Sequence, residues 1–366
     1  NPLLVNVDKM SSFYSELKGR YQLCQSCAFA APFGLTQVWY SWGDQFLSLT
    51  LLWPVGADLV AIDRFLRQTS GLHVGNNVGR NYERAFGYAS GPTPCFLDLI
   101  CSLWNTSRMQ ISTDALIMAL AGVEFHAMQL SKPSKTSNVI SVDRYEIIPD
   151  PAGVLRLVQE CDQVSKQGRV WNSLATVLND MPIKRRAPDG GVQTDTRLLN
   201  EISDAVVARR PIEEVLEKRV YVALDQLQTE SGMVRDFSTL AFRLLVPIYF
   251  KEVRDMTADL LPALQSVGET VGELIKATGD RSILYNLRNS RNVDDLLEVL
   301  SRVVVRHADA FVEGKPELWR NRVRELAEVI DNGNWRRVRS LLGLYAGLKF
   351  IEVSRKEQGK EPVPSK

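Results

Sequence analysis

The last third of the chain constrains the fold most strongly. Leu260, Leu261, Leu264, Val267, Val271, Leu274 and Ile275 recur at three- and four-residue spacing. That is the period of a helix with one apolar face. Gly268 and Gly272 lie four apart within it, which predicts close approach of a second helix. The next helix is predicted to begin at Asn292, an N-cap, and carries Leu296, Leu297, Leu300, Val303 and Val304. Pro316 takes a first-turn position ahead of Trp319, Val323, Leu326 and Ile330. Asp331-Asn332-Gly333-Asn334 then stops one helix and caps another, which presents Val338, Leu341, Leu342, Tyr345 and Leu348. Four amphipathic helices with short links predict an antiparallel bundle.

The first part of the chain has a different period. Gln37–Trp42 and Gln45–Trp53 are strand-rich, with Gly43-Asp44 as a two-residue hairpin turn and Pro54 as a stop. Asp58–Gln68 reads as a helix with Leu59, Ile62, Phe65 and Leu66 on one face. Gly71–Pro94 reads as a long loop rich in glycine, asparagine and arginine. Ala115–Met128 is ambiguous between helix and strand, Val139–Pro149 alternates as a strand, and a helix starts at Gly153. From Trp171 onward the signal is helical. It is interrupted at Met181–Arg197, a polar loop that holds Lys184-Arg185-Arg186.

The expected class is therefore α+β, mainly α. A mixed α/β domain with a β-hairpin covers 1–165, and a helical connecting region with a basic loop covers 166–255. The C-terminal antiparallel helical bundle covers 256–352, and a frayed polar tail covers 353–366.

Length and charge narrow the function. At 366 residues the chain suits two or three domains. Formal net charge is only +1, so nucleic-acid binding must rest on local patches. Five cysteines, an odd number, argue against a secreted disulfide framework and for a reducing cytoplasm. No apolar run reaches the roughly 20 residues of a membrane span. Residues 1–34 lack a basic head followed by an apolar run, so no secretory signal is read there.

Motifs for catalysis are missing. His73, His126 and His307 form no paired-histidine pattern. There is no nucleophile elbow and no phosphate loop, and Gly75–Gly79 lacks the required lysine. No catalytic residue is assigned, and a binding protein is expected rather than an enzyme. Cys24 and Cys27 have the one metal-like spacing, with Cys95 and Cys101 as the candidate second pair for a structural zinc. The alternative is that these are small apolar residues packed beside the hairpin.

Local charge points to nucleic acid. From Lys276 to the C-terminus, 18 Lys and Arg face 13 Asp and Glu, and arginine outnumbers lysine. The guanidinium fork pairs with phosphate oxygens bidentately. Arg288, Arg291, Arg336, Arg337 and Arg339 are the candidate backbone-binding side chains. A solvated face paired with Glu317, Glu325, Glu328 and Asp331 would have the same signature. Lys184, Arg185 and Arg186 form a second basic cluster. Asn76, Asn77, Arg80 and Asn81 have the side chains that read adenine and guanine edges.

Three stretches taken together resemble a known family. They are Cys24–Leu35 leading into the aromatic hairpin, Val123–Val158 with its two strands and helix, and Ser282–Arg302 ahead of the final helices. Their order resembles the large subunit of type I CRISPR effector complexes (Cascade), in the branch with a CxxC motif. The related type I-D large subunit is similar too. The resemblance implies an antiviral-defence protein that recognises the protospacer-adjacent motif and holds the opened strands of an R-loop. It implies crRNA and target DNA as partners, with the backbone and crRNA 5′-end subunits. A CRISPR nuclease-helicase, or transposon proteins in some relatives, would join them, and no membrane is involved. It also implies a C-terminal bundle like a small subunit. This chain has only one CxxC and is short for a complete large subunit.

Overall fold

Strict alternation of buried and wetted positions draws four strands into one antiparallel sheet. The strands β1 (Trp39–Trp42), β2 (Ser48–Gly56), β3 (Val123–Ser131) and β4 (Ser141–Ile148) lie in that order. The structure, a computed structural model, describes residues 38–42, 48–56, 59–69, 85–87, 91–107, 113–134, 140–164, 168–186, 191–229, 237–253, 260–306, 315–331 and 333–358. Thr50, Leu52 and Pro54 on β2 and Val123, Phe125 and Ala127 on β3 point inward. The register sets Leu52 against Ala127 and Pro54 against Phe125.

Two details of the hairpin differ from expectation. Trp42 pairs with Leu49, so the connection runs over 43–48 and not over Gly43-Asp44 alone. Pro54 does not end β2, which continues to Gly56. Described β1 stops at Trp39, opposite Leu52. Among the described residues Pro54 thus has a neighbouring strand on one side only, where a missing N–H is tolerated.

Helices α1 (Leu59–Gln68), α2 (Pro92–Ser107), α3 (Thr113–Leu120) and α4 (Pro151–Glu160) cover the inner face. Ala115–Met128 thus resolves into both alternatives, a helix and a strand, divided at Gly122. That glycine has φ +78, a left-handed value that a side chain would strain. The Gly-rich stretch ends earlier than predicted, because Gly91 accepts the first helical bond from Cys95 and Pro92 opens α2. The core rings touch in one cluster: Phe125 lies 6.1 Å from Trp39, 5.6 Å from Phe65 and 5.3 Å from Phe96. Losing the Phe125 ring would cost about 3–5 kcal/mol, a large share of a typical domain's stability. Leu59, by contrast, is exposed and takes no part in this core.

The chain divides between Asp162 and Gln163. The predicted connecting region therefore belongs to the same unit as the C-terminal helices. Short strands β5 (Asp162–Val164) and β6 (Val170–Asn172) lead to α5 (Ser173–Asp180), β7 (Ile183–Arg186) and β8 (Val192–Asp195). Then come α6 (Arg197–Val207), α7 (Glu213–Thr229), α8 (Thr239–Val253), α9 (Leu260–Thr278) and α10 (Ser282–Asn289). The last three are α11 (Val293–Arg306), α12 (Lys315–Val329) and α13 (Trp335–Gln358).

The last helix is the axis of this unit. Its residues from Ser340 to Leu348 are buried on every side, as suits a helix ringed by others. α7, α8, α9 and α10 pack against it. Gly268 and Gly272 do permit close approach: a Cβ on Gly272 would fall within 2.4 Å of the Ala346 carbonyl. On the opposite side of α13, Gly343 and Gly347 meet Glu217 and Val220 of α7 in the same way.

The bundle is not uniformly antiparallel. Gly268 faces Leu342 while Gly272 faces Phe350, so α9 and α13 run parallel. Arg281 lies on Phe350 and Arg339 reaches Ser290, so α10 and α13 run antiparallel. The cause is α10, a helix absent from the sequence expectation, which adds one reversal between α9 and α13. The expected tail also begins later, since α13 continues past residue 352 to Gln358.

Gly272→Ala is expected to destabilise the protein by about 1–3 kcal/mol, because the clash is with backbone. Gly333→Ala, whose Cβ would meet only the Asp331 side chain, should change stability by much less. Urea midpoints of the two variants check the difference.

Candidate nucleic-acid interface

Helix geometry sorts the candidate arginines before any contact is considered. Arg336 and Arg339 are three residues apart and share a face of α13, whereas Arg337 is turned about 100° from Arg336. Arg337 goes inward. Its Nε donates to Glu213 Oε1 at 2.7 Å, and its guanidinium lies 5.1 Å from the Phe250 ring. Glu213 is 1% exposed. This pair ties α7, α8 and α13 together, so the expectation that Arg337 faces phosphate is corrected.

The other four arginines come from two segments that meet at Ser290. Arg339 Nη1 reaches the Ser290 carbonyl at 3.5 Å, in the turn between α10 and α11. Arg288 and Arg291 flank that serine in sequence. Arg336 and Arg339 each lie 5.6 Å from the Trp335 ring, and Arg288 lies 4.8 Å from that of Tyr221. Stacking holds each guanidinium by its face and leaves its N–H edge for another partner. Arg288, Arg291 and Arg336 are exposed, and Arg339 is half-buried.

The nearby carboxylates are partly occupied. Asp295 accepts the backbone N–H of Arg291 at 3.1 Å. Glu217 is buried between α7 and α13, and burial raises its carboxyl above the ordinary glutamate range, against the pull of Arg339 and Arg288. Exposed Arg302 is paired along its own helix with Glu298, the bland outcome for a surface arginine.

The Lys184-Arg185-Arg186 cluster is not on a loop. Its residues belong to β7, which pairs with β8 in the register Lys184 with Thr194 and Arg185 with Gln193. Pro188-Asp189-Gly190-Gly191 is turn chemistry between two short polar strands, and the glycines had masked the strands. The base of this hairpin is anchored. Gln226 of α7 donates to the Lys184 carbonyl at 2.9 Å, and Arg219 Nε donates to the Asp180 carbonyl at 2.5 Å. Asp180 in turn accepts Ser238 N at 2.7 Å. Lys184 and Arg185 are exposed. Beside Arg185, residues 193–197 bound a concavity of about 420 Å³. Within it Arg197 grips Asp195 through two nitrogens and holds that carboxyl down at about 2.

The hairpin and the arginine corner share one support. Tyr221 lies under Arg288 and Gln226 holds the hairpin, both from α7. Five residues separate them, a rise of about 7.5 Å along the axis.

Asn76, Asn77, Arg80, Asn81, Cys24 and Cys27 lie outside the described residues. Cys95 and Cys101 are both buried in α2. Six helical residues place them about 120° apart around the axis. Burial also pushes the Cys101 thiol up, with Asp98 adding to the effect. Among the described residues no group of three ligands could hold a metal ion. No protein-family model and no curated protein matches this chain.

Sequence reasoning missed Trp335 and Ser290 as the fixtures of the corner. The signal was available, because a tryptophan directly ahead of two arginines on a helix offers a stacking surface.

Arg337→Met is expected to lower stability by about 3 kcal/mol, since it strands a buried carboxylate. Adding Glu213→Gln should recover part of the loss, as urea unfolding of both variants will test. Glu217 gives a pH signature. Its raised carboxyl favours the fold below the ordinary glutamate value, and that contribution is lost as pH rises through the raised one. Glu217→Gln should therefore gain on the parent between about pH 4 and about pH 8. An equal difference at both pH values would contradict the assignment.

Proposed function

We propose that this chain is a non-catalytic nucleic-acid-binding subunit of a cytoplasmic assembly. The assembly is of the kind its sequence resembles, a crRNA-guided DNA surveillance complex. One observation carries the proposal: Arg288, Arg291, Arg336 and Arg339 gather around Ser290 and Trp335 on one corner of the helical unit. Three of the four are exposed, and Arg288 and Arg336 each lie against an aromatic ring. Such an arrangement suits phosphate oxygens and carries no base code of its own. Guide pairing would supply the sequence specificity, and the protein would hold the strands. The function needs no cofactor. Among the described residues no helix is long and apolar enough to cross a membrane.

A second reading, a helical protein-interaction scaffold without direct nucleic-acid contact, draws support from Arg337 and Arg302. Both arginines are used within the fold.

Salt dependence separates the two. Binding to single-stranded DNA should weaken with salt by about 0.7 logarithmic units per phosphate contacted. Arg291→Ala and Arg336→Ala should each reduce that slope by about one contact, with little effect on folding. Slopes and affinities that match the parent would leave the scaffold as the better account. A short structured RNA co-purifying with the chain would identify the assembly class.

A further inference from the structure

An antiparallel sheet with one covered face normally turns polar residues outward on the other. This sheet does not. The register puts Tyr40, Leu51, Trp53, Met128, Tyr145 and Ile147 on the face away from the helices. Tyr145 and Ile147 are 46% and 51% exposed. An apolar face of this kind on a sheet marks a contact surface.

The rings on that face are held in place. Tyr145 hydrogen-bonds His126 Nδ1, and His126 Nε2 meets Glu124 Oε1 at 2.9 Å. Trp53 lies 5.8 Å from the His126 ring and 6.3 Å from that of Tyr145. Aromatic side chains already fixed in one conformation lose little entropy on binding, which is what interface anchors need.

Charge selects the partner class. Among the described residues, the outer face carries the carboxylate of Glu124 by register, and no lysine or arginine. Asp143, exposed near the register shift of β4, adds a second carboxylate. Arg144 and Glu146 are paired with each other at 2.8 Å. Polyanions and anionic lipid need cations that this face does not offer. An apolar partner with positive charge complements it.

Topology selects the form of the partner. Among the described residues β4 is a terminal strand of the sheet, and its positions alternate between exposed and half-buried from Ser141 to Ile147. A strand laid along β4 would extend the sheet and place every second side chain beside Tyr145 and Ile147. We propose that this face docks an extended segment of a partner protein, added as a strand along β4. Its apolar side chains meet Tyr145 and Ile147, and its lysines or arginines reach toward Glu124 and Asp143. The proposal rests on the first unit and does not depend on the nucleic-acid function.

Synthetic peptides test it on the full chain. The probe is a fluorescein-labelled peptide matching the 8 residues of β4, with valine and lysine alternating. One comparison peptide carries glutamate in place of lysine, and another carries N-methyl groups on alternate residues to block strand pairing. By fluorescence anisotropy the lysine peptide should bind, and both comparison peptides should bind at least about tenfold more weakly. The double variant Tyr145→Ser, Ile147→Ser should lose the lysine peptide by a similar factor, while Leu240→Ser, exposed in the other unit, should not. Absence of binding by the lysine peptide overturns the proposal. So does equal binding of either comparison peptide to the unaltered chain, a result that does not depend on how the variants fold.

Discussion

The glycines on either side of α13 govern the second unit. Gly268 and Gly272 bring α9 against it, and Gly343 and Gly347 bring α7 against it, with no room for a Cβ at any of the four positions without displacing backbone or a neighbouring side chain. Helices this close leave no space for long side chains between them, so polar residues are displaced to the ends of the contacts. Arg243 pairs with Glu269 and Glu352 there, and Lys349 pairs with Glu273. The same closeness traps Glu213 and Glu217 of α7 beneath α13. Arg337 is then drawn in to neutralise Glu213, because an unpaired carboxylate in that position would cost several kcal/mol. Two residues later, about 200° around the helix, Arg339 cannot follow it and is directed to Ser290. The arginine corner is thus a consequence of how the helices pack.

Arginine serves two purposes here through one property. Its delocalised plane can lie on an aromatic ring while its edge donates hydrogen bonds. Arg219 on Phe237, Arg281 on Phe350 and Arg337 on Phe250 use the stack to build the fold. Arg288, Arg336 and Arg339 use it at the surface. A near-neutral chain can therefore present a concentrated positive corner, since much of its remaining arginine is balanced internally. The enrichment of arginine over lysine in the sequence reports both uses at once.

That double use explains what the sequence could and could not reveal. Helix faces were legible because burial imposes a 3.6-residue period, and Val338, Leu341 and Tyr345 are indeed interior. Hairpin strands were legible for the matching reason, a period of two. Direction was not, because the short helix Ser282–Asn289 carries only Ile283, Leu284 and Leu287 inward, too brief a pattern to stand out. The basic hairpin was misread because its strands are polar on both faces. The inward turn of Arg337 depends on Glu213, 124 residues away, and no local pattern encodes such a distance.

The two units offer opposite chemistry, and the difference arises from how each hides its core. The sheet buries one face under four helices and leaves the other to whatever can cover rings and aliphatic side chains. The helical unit buries its axis on all sides, so its surface is free to be charged. On the proposed readings, a phosphate backbone would meet arginine edges on the second unit and none on the described outer face of the first, and a strand of another protein would meet the reverse. The two proposed contacts would then use different residues.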